Sequence, residues 1–521
     1  MESSKTSKSS EIQLHIQQLV KNYASKLAQL DVTNPEVLRT THAFCAFQGC
    51  AKALRVQCDG DFFHKSFKND KISTFWSHSW HGAQWKKILT LLSFYNGFAA
   101  VFCGFLAAIL MMILFCLGFL PSLDRQFAVK FSAWCLPSGF AASTLVMLFW
   151  KNRTKVFLDR ICISQNNDSL KVQAILSLAG LLKNSDVMLI LWDPTWTQRL
   201  WCLFELAAYL KSKNTGKQAL IVRPIFLGPI SIAIFLVSCA IALPLTTVSF
   251  TDPTVGMLFV LGPAFVSGIT VAYPTIWTLR GYFRDLDIMK EQLLRISFDA
   301  TKSSCCDANH QSPCGGVLMC DRLAVKECVK MWFGSQEAFE HAVRTEVLDI
   351  LNIVLSEKVF TTTWILGVTS PFLWAFLDLS ASFAIVFDFR QFWLRPSVTL
   401  FVEGLMLWLV ALPSAKDVAI MICRFTRAKG RTQCLELLKN LMVVFACALV
   451  LSVFLALYFG TRFAGQEFER AVAWSGGVVF FSICFRLGTV AMKMILKDSD
   501  GKCSSAHSVF GEAEGSNSLD R

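Results

Sequence analysis

The 521 residues are 54% hydrophobic and only 17% charged, with a mean hydropathy of +0.46. A soluble globular chain carries about 25% charged residues, so this composition excludes an ordinary soluble protein and points to a polytopic membrane protein. The net charge of +12 does not indicate nucleic acid as a partner. Lys and Arg cluster beside the apolar runs, where anionic lipid headgroups are the expected counterpart.

Residues 1–70 read as a cytoplasmic N-terminal region. The first ten are Ser- and Lys-rich, and no signal-peptide pattern precedes the first apolar run near Gly97, which is expected to act as its own insertion signal. Within 11–30, Ile12, Leu14, Ile16, Leu19 and Val20 recur at mixed helical spacing. This predicts an amphipathic helix for a membrane surface or a partner.

Eight apolar runs are long enough to cross about 30 Å of hydrocarbon. They lie near 97–120, 129–150, 222–246, 254–278, 360–386, 397–415, 440–460 and 471–496, and group into hairpins 97–150, 218–279, 360–415 and 440–496. Asp378, Asp388 and Glu403 interrupt the fifth and sixth runs. The intervening segments 151–217, 280–359 and 416–439 are rich in Lys and Arg, whereas 247–253 has none and 121–128 only Arg125. The positive-inside rule then predicts both termini and the long segments on the cytoplasmic side. The sequons at Asn152 and Asn167 would stay unmodified there, and the nineteen cysteines, placed in apolar runs or in the basic segments, would stay reduced. The tail 497–521, rich in Ser, Gly and acidic residues, reads as disordered.

Two of the polar segments combine. Residues 71–96 open with a short apolar strand, Ser73 to Trp80, followed by a helical run from His81. Residues 151–217 continue with a strand Lys155–Asp159, a helix Ser169–Leu182 capped by Ser169 or Asp168, a continuous apolar strand Asp186–Asp193 and a helix Arg199–Lys211. That order calls for a small three-stranded parallel sheet, split by the first transmembrane hairpin. Ala219–Val222 is a further strand pattern, but its end would have to enter the membrane directly. Ligands collect at the carboxyl ends of parallel strands. His78, Ser79, Asp159 and Asp193 all fall there, and Glu205 lies on the helix after the third strand.

The motifs on these elements are SHSW (Ser77–Trp80), VFLD (Val156–Asp159) and RLWCLFEL (Arg199–Leu206). Together they resemble the Toll/interleukin-1 receptor (TIR) domain, over residues 71–88 and 151–213 and none of the other spans. The family's Trp-Cys-x-x-Glu helix is matched by Trp201, Cys202 and Glu205. In members that cleave NAD, that Glu is catalytic, so the resemblance implies Glu205 in this role, with His78, Ser79, Asp159, Asp193 and Trp201 around an NAD substrate. It also implies a signalling or assembly module that self-associates. A carboxylate suits the chemistry, because breaking a nicotinamide–ribose bond passes through an oxocarbenium-like state.

Two further clusters carry chemistry. Cys305, Cys306, His310, Cys314 and Cys320 lie within sixteen residues, and thiolates with an imidazole at such separations can close a tetrahedral zinc site. A flexible reduced loop is the alternative. Asp378, Glu403 and Arg486 fall inside apolar runs, where charge is costly and is paired or faces water. They define the alternative function, a channel or secondary transporter regulated by the cytoplasmic module. The expected fold is thus an α-helical polytopic membrane protein of about eight transmembrane helices, carrying a small split α/β TIR-like module.

Overall fold

The computed structural model describes residues 15–491 except 16, 33, 57–59, 125–129, 213–218, 248–265, 267, 312–318, 385–395, 462–468 and 470. Most of the expected fourth span, Cys314 and the 497–521 tail therefore lie outside the described residues. In chain order, the strands are β1 (Arg39–His42), β2 (Phe67–Lys68), β3 (Ile72–His78), β4 (Leu123–Asp124), β5 (Lys130–Phe131), β6 (Lys155–Phe157), β7 (Ser185–Trp192) and β8 (Ala219–Pro224). The helices used below are α1 (17–27), α2 (Gln84–Cys116), α3 (Cys135–Phe149), α4 (Leu200–Ser212), α5 (Leu227–Thr247), α6 (Tyr273–Leu294), α7 (Asp321–Phe333), α8 (Ser370–Ala384) and α9 (Gln433–Thr461).

The chain divides into two compact units. The first comprises Met1–Phe98, Met147–Pro229 and Asp285–Phe360, and the second Ala99–Val146, Ile230–Arg284 and Thr361–Arg521. The first unit is built on a six-stranded mixed sheet in the order β2-β1-β6-β3-β7-β8. β6, β3, β7 and β8 are parallel, and β1 joins the edge antiparallel to β6 and β2. This corrects the expected three-stranded sheet at both edges. β1 reads Arg-Thr-Thr-His, with no apolar alternation, yet Thr40 and Thr41 are fully buried.

β8 forms because the chain solves the problem posed by its end. It pairs with β7 from Ala219 to Pro224, and α5 starts three residues later. Gly228, in the first turn of α5, sits against the backbone of Leu89 and Thr90 so closely that a Cβ would lie 2.4 Å from the Thr90 nitrogen. The Thr90 hydroxyl donates to the Ile225 carbonyl at 2.7 Å and accepts from the Gly228 N–H at 3.1 Å, tying this junction to α2.

α2 packs on one face of β3, where Trp76 Nε1 donates to the Tyr95 hydroxyl at 2.7 Å. α4 covers the other face, where Ser77 donates to Glu205. The helical pattern after β6 breaks at Ser177 into Asp168–Leu176 and Leu178–Lys183. Its cap is Asn167, whose side chain accepts from Leu170 N–H, in place of Ser169 or Asp168. An Asn carbonyl oxygen satisfies a donor that the first helical turn leaves orphaned.

α1 covers the described part of the expected amphipathic helix. Val20, Ala24 and Leu27 of this helix are buried within the first unit, while Leu19 is exposed, and Ile12, Leu14 and Ile16 of the expected apolar face lie outside the described residues. Trp332 of α7 donates its indole N–H to the Ala28 carbonyl just beyond α1 at 3.0 Å. The segment after α6 also belongs to this unit, and Trp332 stacks on Phe204 of α4 with ring centroids 5.3 Å apart.

In the second unit the helices are long and apolar. Five are long and apolar enough to cross a membrane: Gln84–Cys116, Leu227–Pro244, Ser397–Phe425, Gln433–Phe454 and Ala471–Ala491. A sixth counts if Thr362–Val368 and α8, bent by 55° at their junction, form one span. Pro371 in the first turn of α8 cannot donate a backbone hydrogen bond, and the Ser370 hydroxyl instead reaches the Gly367 carbonyl at 2.9 Å. α3 has 15 residues, about 22 Å of helix, shorter than the predicted 129–150 span because residues before Cys135 form β5 and a turn. Along α2, Phe98, Phe102, Leu106, Leu110 and Ile113 are exposed at helical spacing, an apolar stripe suited to lipid.

Within this unit Ala108, Cys135, Leu136, Ala242, Trp374, Ala375 and Leu377 form one buried cluster. Gly104 and Gly139 make room for Trp374, since a Cβ on either would meet its ring at 2.7 Å. Small residues of this kind let apolar helices approach closely where no hydrophobic force separates protein from lipid.

Candidate functional site

The reversal of strand order falls between β3 and β7, with β6 on the far side of β3. In doubly wound sheets the crevice above such a point, at the carboxyl ends of the strands, is where ligands bind. β3 ends at His78 and β7 at Trp192, so Ser79 and Asp193 open the two loops that flank the crevice. The Thr195 hydroxyl bonds Ser79 Oγ at 2.8 Å and Thr195 N–H donates to Asp193 Oδ1 at 2.8 Å, so the two loops are joined.

Two polar atoms at this rim are buried without a hydrogen-bonding partner among the described residues, His78 Nε2 and Asp193 Oδ2. Buried polar groups are almost always satisfied, so each exception calls for an explanation, a ligand among them. Burial pushes the His78 imidazole below its ordinary pKa, against the pull of the Asp159 carboxylate. Asp193 Oδ2 lies over Gly82, where a Cβ would come within 2.2 Å of it. Gly82 is thus required by close approach. The buried Lys87 ammonium donates to the Ser79 carbonyl and feels the Asp193 charge.

Glu205 sits on the other face of β3. The Trp196 indole donates to Ser77 Oγ at 3.1 Å, and the Ser77 hydroxyl donates to Glu205 Oε2 at 2.6 Å. Burial pushes the Glu205 carboxyl up to about 8; the Ser77 hydrogen bond opposes that rise and the Asp159 charge adds to it. Asp159 stands between the two groups of residues. Its Oδ2 accepts from Trp80 Nε1 at 3.0 Å, and it acts electrostatically on both His78 and Glu205.

The structure therefore brings His78, Ser79, Asp159 and Asp193 to one rim and places Glu205 beneath it, one strand residue away through Ser77. Trp201 is elsewhere. Its indole donates to Asp321 Oδ2 at 3.1 Å and its ring meets Phe204 edge-on, so it holds the following segment rather than facing the rim. Cys202 is buried with Sγ 3.7 Å from the His78 carbonyl. Sequence reasoning quoted Ser77 only within the SHSW motif and assigned no role to it, to Trp196 or to Lys87. For Ser77 the alternation along β3 was the available signal, since Phe75 and Ser77 share a face and Trp76 and His78 the opposite one.

The second cluster assembles in the segment between α6 and α7. Donor atoms of Cys305, Cys306, His310 and Cys320 all lie within 4.8 Å of one another. Partial burial and the adjoining Cys305 and Cys320 thiols push the Cys306 thiol up to about 12.

The intramembrane charges are differently placed. Asp378 is fully buried, and its carboxylate accepts from Ser132 Oγ (2.7 Å) and from the N–H groups of Trp134, Cys135 and Leu136 (2.9 Å each). It caps α3. Glu403 is buried, whereas Arg486 is exposed, so the three do not share one environment. The buried arginine of this unit is Arg280, paired with Glu436 at 3.0 Å.

No protein-family model matches the chain, and neither a curated protein nor a solved structure does.

Proposed function

We propose that the first unit is a TIR-like module, facing the cytoplasm on a carrier of about eight transmembrane helices, that binds NAD at the carboxyl ends of β3 and β7 and cleaves it with Glu205. The order β6-β3-β7-β8 supports the reading, because it places the first of these parallel strands between the second and third, as in the flavodoxin-like doubly wound sheet. The carrying observation is the Trp196–Ser77–Glu205 relay directly beneath two unpartnered buried groups, His78 Nε2 and Asp193 Oδ2. A carboxylate acceptor and an imidazole suit the hydroxyls of a ribose.

In this reaction the bond between ribose C1′ and the nicotinamide nitrogen breaks, and its electron pair neutralises the pyridinium. The positive charge that develops on the sugar is stabilised by the Glu205 carboxylate. Water then bonds to C1′, and its proton passes through Glu205 to solvent, giving nicotinamide and ADP-ribose. With its pKa near 8, Glu205 holds a proton in most molecules at neutral pH, so cleavage is expected to rise with pH towards that value.

Purified full-length protein in detergent, incubated with NAD, should release nicotinamide, and Glu205→Gln should reduce release by 100-fold or more, on the order expected when a principal catalytic group is lost. Release that persists in Glu205→Gln would remove the proposal. The module's orientation is tested separately by synthesis into microsomes, where Asn152 and Asn167 should remain unglycosylated. A transport path through Asp378 draws little support, because that carboxylate is occupied as a helix cap.

A further inference from the structure

The segment from Phe298 to Cys320 crosses the start of α4. Lys302 N–H donates to the Gln198 carbonyl at 2.7 Å, and the Lys302 carbonyl accepts from Leu200 N–H at 3.1 Å. Leu200 is the first residue of α4, so this contact satisfies one of the donors that every helix start leaves orphaned. Arg199 reaches Ser304 Oγ at 3.2 Å, and Trp201 reaches Asp321. Among its described residues this segment contributes little apolar burial beyond Phe298 and Cys305, which raises the question of what holds it.

Its side chains give the answer. Cys306 Sγ lies 3.8 Å from Cys305 Sγ, 3.8 Å from Cys320 Sγ and 3.6 Å from His310 Nε2. With Zn–S near 2.3 Å and Zn–N near 2.0–2.1 Å, tetrahedral donors stand about 3.8 Å apart for two sulfurs and about 3.6 Å for sulfur and nitrogen. The three measured separations match that figure.

The backbone is shaped to the same end. A short helical turn, Ser304–Asp307, carries the adjacent cysteines, and Asn309 and His310 then adopt left-handed φ of 50° and 57°. Such values are uncommon for residues other than glycine and persist only where surrounding structure holds them. They fold the chain back so that His310 N–H bonds the Cys305 carbonyl at 2.8 Å and its ring reaches Cys306. Asp321 N–H donates to the Cys305 sulfur at 3.3 Å, as expected around a thiolate, and the Ser303 hydroxyl lies 3.2 Å from the same sulfur.

We infer that Cys305, Cys306, His310 and Cys320 bind one Zn²⁺ in a closed tetrahedral site that clamps this segment across the start of α4. Four protein donors leave no open position, so the site is structural. Through Asp321 and Trp201 it braces the helix that carries Glu205. The inference does not depend on NAD as the substrate.

The test uses the full chain purified in detergent without chelator and measures metal by mass spectrometry. One zinc per chain is expected, with none retained by Cys306→Ser or Cys320→Ser. Cys328→Ser and Cys314→Ser should each keep it, because Cys328 lies outside the cluster and the four described donors already fill a tetrahedron. Replacement by Co²⁺ supplies a check independent of folding in the variants. The parent should show the intense visible bands of a tetrahedral thiolate complex, and His310→Ala should shift or weaken them. Folded parent without stoichiometric zinc, an octahedral cobalt spectrum, or zinc lost in Cys314→Ser but kept in His310→Ala would each overturn the assignment.

Discussion

Two buried charges of the helical unit and two buried polar groups of the sheet unit stand in opposite situations. In the helical unit Asp378 and Arg280 have their partners close by. Asp378 accepts four hydrogen bonds at the start of α3, and Arg280 of α6 meets Glu436 and Asn440 of α9. In the sheet unit, His78 Nε2 and Asp193 Oδ2 are buried without partners among the described residues. A charge within an apolar span is therefore weak evidence of transport when a helix end lies beside it. A buried polar atom left open at a strand end is better evidence of a ligand.

The contrast is most exposed to test at Asp378. Replacing it with Ala leaves the buried N–H groups of Cys135 and Leu136 at the start of α3, and the partly buried Trp134 N–H just before it, without an acceptor, at about 1–3 kcal/mol each before relaxation. A net loss of about 3–5 kcal/mol is expected, read as a large fall in the thermal unfolding temperature in detergent. Asp378→Asn keeps one acceptor oxygen and should lose less. An unchanged transition in Asp378→Ala would break the comparison at its strongest point.

Arg280 gives the next effect. It has no exposed surface, and besides Glu436 and Asn440 it bonds the Thr426 and Ala428 carbonyls at 2.9 and 3.1 Å. Arg280→Met leaves two carbonyls and Asn440 without their donor, while Glu436 keeps Arg284 at 3.1 Å and the Gly430 N–H at 2.7 Å, and should cost about 2–3 kcal/mol. A double-mutant cycle with Glu436→Gln should return a coupling above about 1 kcal/mol. Additive losses would mean that the pair is adjacent without being energetically joined.

These two centres also mark what could be read from sequence. Asp378 was visible as an anomaly in an apolar run, but its role depends on the start of α3, some 240 residues earlier, which no local pattern connects to it. Arg280 counted only as the first basic residue of the segment 280–359, because its partner lies on another helix. The parallel strands β3, β6 and β7 were legible because apolar runs ending in polar residues fit strands buried on both faces. β1 was not, since its buried residues are threonines whose polar character hides them. β8 was seen and set aside on a geometric objection that Gly228 removes. At the site, Glu205 was legible from its motif and the rim from strand ends, whereas Ser77 required knowing which face of β3 the helix α4 covers.

In the sheet unit the perturbed carboxyl makes its own prediction. Glu205 is held near 8 in the folded chain, against 4.5 ordinarily, so the folded state keeps a proton that the unfolded state releases. That contribution to stability is complete below about 4.5 and is lost as pH rises through about 8. Because the side chain is only partly buried, on the order of 2 kcal/mol is expected across that window, less than the full shift implies. Glu205→Gln cannot titrate and should flatten this part of the pH–stability curve. If parent and variant have parallel curves from pH 5 to 8, the carboxyl is not protonated in the folded state.

The smallest effect is the most specific. Ser77 holds the ionised form of Glu205 by donating at 2.6 Å, and so works against the rise caused by burial. Ser77→Ala removes that donor and leaves the fold's apolar contacts intact. The Glu205 midpoint should then move further up, by about half to one pH unit for a hydrogen bond worth about 1 kcal/mol. The shift should appear in the pH–stability curve whether or not the protein cleaves NAD. In the cleavage reaction it should lower the rate at pH 7 severalfold while a sufficiently alkaline buffer restores it. A merely structural serine would lower the rate equally at every pH. Rescue by pH alone would place Ser77 as the residue that tunes Glu205, and would tie the strand face that sequence reading missed to the chemistry at the rim.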